Sequence, residues 1–226
     1  AFAGIALNNS TATAAKTVTL TNATSNNNYL GGVIINTRGA VTLNHVDASG
    51  NYYGTADGIR ITSSGTGAVN ILGTLGENYV GGNNGYGIYI ATNGAVSISK
   101  MEATYNDLDN LYIDNTGGTG AVTLHTGNYG SSDTGTGVNI ASRGAISLTN
   151  INAAYNTVDG IVLDNHSAAS SQPVTIKTTS TDIDNSIGSN DGAALSIHSR
   201  GNVSLTGVYD YNSSGAQSHI IINNTY

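Results

Sequence analysis

Apolar and polar residues alternate in short stretches that return along the whole chain. The first such stretch is clearest at Gly39-Ala40-Val41-Thr42-Leu43. Its central apolar residue recurs every 23 to 29 residues, at Val18, Val41, Val69, Val96, Val122, Ile146, Val174 and Val203. Alternation with a period of two is typical of half-buried β-strands. A constant strand at a variable spacing therefore predicts repeated coils joined by loops of different length.

Two further stretches complete the repeat. The second stretch alternates with the first, and its copies begin at Ile5, Val33, Ile59, Ile88, Leu111, Val138, Ile161, Leu195 and Ile220. A weaker third pattern lies between them, as in Val46-Asp47-Ala48, and is often followed by an asparagine such as Asn51. Three short strands per coil with Gly and Asn corners are typical of a β-helix, in which each strand pairs with its copy one coil later.

The sequence therefore predicts an all-β chain that forms a parallel β-helix, or solenoid, of about eight coils with three short strands each. The crossover rule for parallel strands makes it right-handed. Residues 1–226 form a single domain, which is either a unit of its own or one segment or subunit of a longer solenoid. Val41, Leu43, Val46, Ala48, Ile59 and Ile61 and their equivalents are expected to form stacked apolar columns inside it.

Composition and charge exclude several classes of partner. The net charge is −7, and the seven Lys and Arg residues are scattered, so no basic surface for nucleic acid is expected. No apolar run approaches the roughly 18 residues of a membrane span. Charged residues make up only 9% of the chain, against about 25% in ordinary globular domains. With 30 Gly, one Pro and no Cys, this composition fits a solenoid without disulfides or thiolate metal sites.

The repeated strings resemble a known group of proteins. Gly39-Ala-Val-Thr-Leu-Asn-x-Val-x-Ala-Ser-Gly-Asn51, followed by Asp57-Gly-Ile-x-Ile61, resembles the repeats of secreted bacterial right-handed β-helix proteins, including the filamentous-haemagglutinin-like and adhesin-like surface or fibre proteins. The resemblance spans nearly the whole chain. It implies a non-catalytic structural or adhesive protein that is extracellular or at the cell surface.

Catalytic motifs of this fold are missing from the sequence. The adjacent Asp pair, Asn-x-Asp and Gly-His-Gly of polygalacturonase-like proteins do not occur. Asp107 with Asp109, or Asp182 with Asp184, are candidates for a calcium site, because carboxylates two residues apart on a strand lie on the same face. Asp114 and Asp164 occupy equivalent positions before Asn and are expected to act in turns. We therefore expect no enzyme activity and no cofactor, although a lyase or hydrolase built across coils stays an alternative.

The histidines and tyrosines carry two further expectations. The five histidines occupy different positions of the coil, and we expect them not to converge. Tyr29, Tyr52, Tyr79, Tyr105 and Tyr155 fall 9 to 11 residues after their central apolar residue. At that corner they are expected to plug the core with the hydroxyl in water; the alternative is an aromatic edge that stacks on sugars or on a neighbouring molecule.

The outward residues of the strands suggest binding surfaces. Each strand contributes one central outward residue, and these residues form a file along the solenoid. In the second stretch the apolar members of this file form the predicted lateral surface: Ile34, Tyr89, Tyr112, Val162 and Ile221. A soluble monomer has little reason to expose such residues. In the first stretch the file is Thr, Ser or Asn throughout, which leaves an ice-binding or carbohydrate-binding solenoid as the alternative. Surface glycans are the external partner considered.

The two ends of the repeat predict self-association. The first and last strands are copies of the same stretch, so a second copy or the flanking coils of a longer chain would continue every sheet. The residues expected to meet there are Ile5, Leu7, Val18 and Leu20 at one end and Val203, Leu205, Ile220 and Ile222 at the other. A head-to-tail contact of this kind produces a filament.

Overall fold

A computed structural model of the chain describes residues 2–132, 134–179, 185–210 and 220–225. Within these ranges the chain forms strands and turns, and no helix is long and apolar enough to cross a membrane. The strands are β1 (Ile5–Asn8), β2 (Val18–Thr24), β3 (Val33–Thr37), β4 (Val41–Asp47), β5 (Ile59–Ser63), β6 (Val69–Leu72), β7 (Asn78–Gly81), β8 (Ile88–Thr92), β9 (Val96–Thr104), β10 (Leu111–Asn115), β11 (Val122–Asn128), β12 (Val138–Ser142), β13 (Ile146–Asn152), β14 (Ile161–Asp164), β15 (Val174–Lys177), β16 (Asn185–Ser186), β17 (Leu195–Ser199), β18 (Val203–Leu205), β19 (Val208–Tyr209) and β20 (Ile220–Asn224).

The strands stack into a parallel β-solenoid of about eight turns, which confirms the predicted fold. Sheet 1 has the order β1-β3-β5-β8-β10-β12-β14-β17-β20 and contains every copy of the second stretch. Sheet 2 has the order β18-β15-β13-β11-β9-β6-β4-β2, with β7 paired to β4 and β9. A two-stranded sheet 3 joins β16 and β19. These strand pairs are parallel, and each joins a strand to its copy in the adjacent coil.

Equivalent residues meet in register, so the core consists of columns of like side chains. The predicted column of central apolar residues pairs in order, for example Val41 with Val69 and Val69 with Val96. From Val33 to Ile197 the inward apolar residues of the two large sheets are at most 1% exposed. Each such side chain contributes roughly 1.5–3 kcal/mol by leaving water, and only the neighbouring coils can cover it.

The first and third patterns run together as one bent strand in most coils, which differs from the three separate strands predicted. The bend is a residue with positive φ four places after the central apolar residue: Asn22, His45, Lys100, Thr126 and Asn150. A single left-handed residue turns the chain without breaking the ladder of hydrogen bonds on either side. In the third coil, where residues 73–77 intervene, the two segments separate as β6 and β7.

A ladder of buried asparagines holds the corner between the third and second patterns. Each amide Nδ2 donates to the Oδ1 of the next rung, in the links Asn51–Asn83 (2.7 Å), Asn83–Asn106 (2.8 Å), Asn106–Asn110 (2.8 Å), Asn110–Asn156 (3.3 Å) and Asn156–Asn190 (2.9 Å). In one coil Ser132 replaces the corner asparagine. Asn110, which immediately precedes β10, supplies the missing link there between Asn106 and Asn156. Because buried amides must be hydrogen-bonded, the ladder ties six coil corners to one geometry.

The opposite corner adapts its polar residue to the length of the loop that follows. In connections of three residues a buried hydroxyl accepts the N–H two residues on, as in Thr37–Gly39 (2.9 Å) and Ser142–Gly144 (3.0 Å). In the longest connections an asparagine Nδ2 spans the loop, from Asn115 to the Gly120 carbonyl (2.6 Å) or from Asn165 to the Gln172 carbonyl (2.9 Å). The longer amide side chain reaches across loops that a hydroxyl cannot close.

One coil reverses the sizes of its two inward side chains. Three coils place a large residue and then alanine in the third pattern, as at Met101 and Ala103, whereas here the order is Gly127 and Tyr129. Tyr129 is fully buried, and a Cβ on Gly127 would lie 2.5 Å from its Cε2. The Tyr129 hydroxyl has no hydrogen-bond partner, and burial raises its pKa far above the usual range.

The alternation of inward and outward residues leads to a first prediction. Val96→Asp should lower the free energy of unfolding by several kcal/mol, because it buries an unpaired charge. Ser97→Asp, at the adjacent half-exposed position, should change it by less than about 0.5 kcal/mol. Urea denaturation of both variants measures the difference, and equal losses would mean that the strand faces are assigned wrongly.

The reversed coil leads to a second prediction. Tyr129→Phe should raise the free energy of unfolding by about 1 kcal/mol, because it removes a buried hydroxyl that lacks a partner. Gly127→Ala should lower it, because the added methyl overlaps the ring. Thermal and urea denaturation report both effects. A clear loss of stability in Tyr129→Phe would contradict this account of the hydroxyl.

Candidate functional site

The predicted lateral surface forms a single file on the outside of sheet 1. Register places Arg60 beside Tyr89, Tyr89 beside Tyr112 and Asn139 beside Val162, and Ile34 and Ile221 extend the same file toward its two ends. Ile34, Tyr89, Tyr112 and Val162 are half-buried, and Ile221 is exposed. Four of the five residues are thus less exposed than the sequence predicts.

The aromatic part of this file is covered by its own neighbours. The Tyr89 and Tyr112 rings are stacked with centroids 5.3 Å apart, and the Arg60 guanidinium lies 4.0 Å from the Tyr89 centroid on the other side. The centroid of the Tyr86 ring lies 5.4 Å from the centroids of both the Tyr89 and the Tyr112 rings. The Tyr89 ring therefore has little free face for a ligand, and the cluster mainly covers the outer face of sheet 1.

Two partly buried carboxylates support this cluster from the corner before sheet 1. Asp57 accepts hydrogen bonds from Arg60 Nε (2.5 Å) and the Tyr86 N–H (2.9 Å). Asp109 accepts from the N–H of Thr136 (2.8 Å) and from Asn139 Nδ2 (3.0 Å). Burial is the main cause that raises the pKa of both carboxyls. Each aspartate thus fixes the loop of the next coil.

The two expected calcium pairs differ in what the structure describes. Both Asp109 oxygens already accept protein hydrogen bonds, and Asp107 and Asp109 belong to no group of three acidic or imidazole ligands in the described ranges. A calcium site there stays a prediction. Asp182 and Asp184 lie outside the described residues. Asp114 and Asp164 form the expected turns, because each Oδ1 accepts the N–H two residues on at 3.0 Å.

The tyrosines near the asparagine ladder are exposed, so the expectation that they plug the core is wrong for most of them. Tyr52, Tyr53, Tyr105 and Tyr155 are 52–69% exposed, and we call these four side chains the tyrosine edge. Tyr79 points outward from β7 between Asp47 and Glu102 instead. Tyr129 is the tyrosine that fills the core, and the sequence did not single it out.

One end of the tyrosine edge is organised by ring contacts. Tyr29, which is half-buried, stacks on Tyr53 with centroids 3.7 Å apart and meets Tyr52 edge-on at 6.3 Å. A hydrogen bond with Tyr53 is the main cause that raises the pKa of the Tyr29 hydroxyl. Tyr29 thus supports the two exposed rings of Tyr52 and Tyr53 through these ring contacts.

The other two rings of the edge lie on a left-handed backbone. Tyr105 has φ 57° and Tyr155 has φ 62°. Each immediately precedes a buried ladder residue, Asn106 or Asn156. The equivalent position in other coils holds small or polar residues that adopt this conformation more readily, namely Asn27, Gly50, Gly82, Ser131 and Ser189. Two tyrosines therefore occupy a position where the backbone disfavours them.

Two histidines converge, contrary to the expectation from the sequence. The His166 and His198 rings are stacked with centroids 4.0 Å apart, and both lie near Asp164. His198 is the register neighbour of Asp164 in the next coil, while His166 follows it in the turn. Sequence position alone missed the group, because one histidine belongs to a strand and the other to a loop of unusual length.

The ends of the solenoid carry the predicted apolar residues without a covering coil in the structure. Ile5 and Leu20 are half-buried, Leu7 is exposed, and Val18 is nearly buried. At the other end Val203 and Leu205 are half-buried, and Ile220 and Ile222 are 44% and 46% exposed. These residues continue the inward columns of the neighbouring strands.

Comparison of the chain with protein-family models, curated protein sequences and solved structures found no match to any of the three. A function for the chain must therefore be inferred from the side chains at the corners and faces of the solenoid.

Proposed function

We propose that the protein is a non-catalytic adhesive rod that acts outside the cell and binds a neutral polysaccharide along the tyrosine edge. The observation that carries this proposal is the pair of exposed rings at Tyr105 and Tyr155, both on a left-handed backbone. The resemblance of the repeats to secreted adhesin-like proteins supports the same class of function.

The energetics of these two residues argue against a purely structural role. A bulky side chain at positive φ costs on the order of 1–3 kcal/mol. Rings that stay 60% and 69% exposed recover little of this cost through burial. Asn27 and Ser131 show that the corner closes equally well with polar residues. Strain at a surface position is typical of a functional site.

The chemistry of the edge suits a sugar chain. A tyrosine ring offers an apolar face for a pyranose and a hydroxyl for hydrogen bonding. Tyr105 and Tyr155 are two coils apart, about 9.6 Å along the rod at the strand spacing. An extended polysaccharide parallel to the axis would meet one ring after the other. The net charge of −7 and the neighbouring Asp107 favour a neutral chain over an acidic one.

The open grooves of the solenoid support a binding role over a catalytic one. A groove of about 270 Å³ is lined by Asp114 as its single ionisable residue, and one of about 410 Å³ by Arg143. Hydrolysis of a glycosidic bond ordinarily uses a pair of carboxyl groups on either side of that bond. Neither groove provides such a pair.

A second function, end-to-end assembly, is favoured by the apolar ends. Among the described residues, the first and last strands of sheets 1 and 2 have no partner on their outer edge, and the core columns continue to Ile5 and Leu20 at one end and to Leu205, Ile220 and Ile222 at the other. We propose that another coil covers each end, supplied by a second copy or by flanking coils of a longer chain. Such a rod would display many tyrosine edges in line.

Replacement of the two strained tyrosines tests the adhesive function. Tyr105→Asn with Tyr155→Asn should abolish retardation on the neutral polysaccharide that the native chain binds, because the stacking rings are gone. The same variant should be more stable by about 1–2 kcal/mol, because asparagine tolerates positive φ. Affinity electrophoresis against a panel of neutral polysaccharides and urea denaturation measure the two effects.

Ser131→Asn, at the equivalent position between the two tyrosines, is the matched control and should leave binding unchanged. If the native chain is retarded by no neutral polysaccharide, or if the double variant binds as well as the native chain, the proposed function is wrong.

Charges at the inward end positions test assembly. Ile5→Lys with Ile220→Lys should abolish concentration-dependent growth in light scattering, because each lysine would be buried at the junction. Ala6→Lys, outward on the same first strand, should reduce growth much less. A native chain that remains monomeric at high concentration would contradict assembly by stacking of copies.

A further inference from the structure

We propose that Asp164, His166 and His198 bind a divalent transition-metal ion, such as Zn²⁺ or Cu²⁺, and thereby clip two adjacent coils together. One ligand atom from each of the three side chains lies within 4.8 Å of the other two. Among the described residues, no other group of three or more His, Cys, Asp or Glu side chains has this geometry.

The geometry suits an ion after small side-chain rotations. His166 Nδ1 is 2.6 Å from Asp164 Oδ1, and His198 Nδ1 is 4.0 Å from Asp164 Oδ2. Metal–ligand bonds of about 2.1 Å place tetrahedral ligands about 3–3.5 Å apart. The three side chains are 37–45% exposed, so an ion reaches them without opening the fold and keeps free coordination positions.

The two elements that carry the ligands are fixed independently of any ion. Asp164 ends β14, and His198 is its register neighbour on β17. The loop that carries His166 is closed by Asn165 Nδ2 on the Gln172 carbonyl and by Arg200 on the Ala168 carbonyl, both at 2.9 Å. A site held on a rigid scaffold loses little freedom when the ion binds.

The donor set selects the class of ion. Two imidazoles with one carboxylate suit zinc, copper, nickel and cobalt, whereas calcium and magnesium prefer oxygen ligands alone. The register neighbours of Asp164 and His198 beyond the group are Ala141 and Asn223, which carry no charge. No cationic side chain therefore stands in this file to repel the ion.

The solenoid contains a matched framework without imidazoles. Asp114 occupies the position of Asp164 two coils earlier and forms the same turn, its Oδ1 accepting the Thr116 N–H at 3.0 Å. Its register neighbour is Ala141. Thr116 and Ala141 thus stand where the metal group has His166 and His198. The difference between the two frameworks is the pair of histidines itself.

Isothermal titration of the full chain, purified without a polyhistidine tag, with ZnCl₂ and CuCl₂ tests the proposal. The native chain should bind one ion, with a rise in Tm at saturating metal. His166→Gln and His198→Gln should each weaken binding at least 10-fold, and His125→Gln, on sheet 2 and about two coils away, should not. Thr116→His with Ala141→His should raise the stoichiometry from one to two.

Several results would overturn the proposal. They are an absence of binding at submillimolar metal, unchanged affinity in the variant that lacks both His166 and His198, and equal loss in His125→Gln. Binding of CaCl₂ as tightly as ZnCl₂ would also contradict it. None of these outcomes depends on the polysaccharide, so this test and that of the tyrosine edge succeed or fail separately.

Discussion

The structure depends on one constraint, which is that each residue of a strand pairs with its equivalent in the next coil. Parallel pairing in register places like side chains in columns, so a single coil has neither a complete sheet nor a complete core. The strands must therefore repeat, as Val41, Val69 and Val96 do. The loops are free of this requirement, and their lengths vary accordingly. Stability is thus concentrated in the columns, while chemical variety is left to the corners.

The sequence was sufficient to predict the strands, the inward columns and the turns at Asp114 and Asp164, because all three follow from local periodicity and turn chemistry. It was insufficient at the corners. Asn110 completes the ladder beside Ser132 although it belongs to a different position of the coil. His166 and His198 meet because the turn after Asp164 places His166 beside the register neighbour of Asp164 in the next coil. Such contacts depend on loop paths, which no repeat in the sequence encodes.

The asparagine ladder and the tyrosine edge are two sides of the same corner. A left-handed residue precedes each corner position from Asn28 to Asn190, because the chain turns there to place the corner side chain inside. That residue then points its side chain outward. Most coils fill the position with a residue that suits the backbone, and two coils fill it with tyrosine. The buried ladder therefore positions the exposed rings, and its rigidity would lower the entropy lost in the proposed binding of a polysaccharide.

Asp114 and Asp164 show how a solenoid can carry the proposed metal site in one coil without a change of fold. Both aspartates end a strand of sheet 1 and close the same turn. In one coil the neighbouring positions are Thr116 and Ala141, and in the other they are His166 and His198. Neither pair contributes to the core, so their exchange leaves the columns unaltered. Because coils interact only with their neighbours, the proposed metal group at one corner and the tyrosine edge at another can change independently on the same rod.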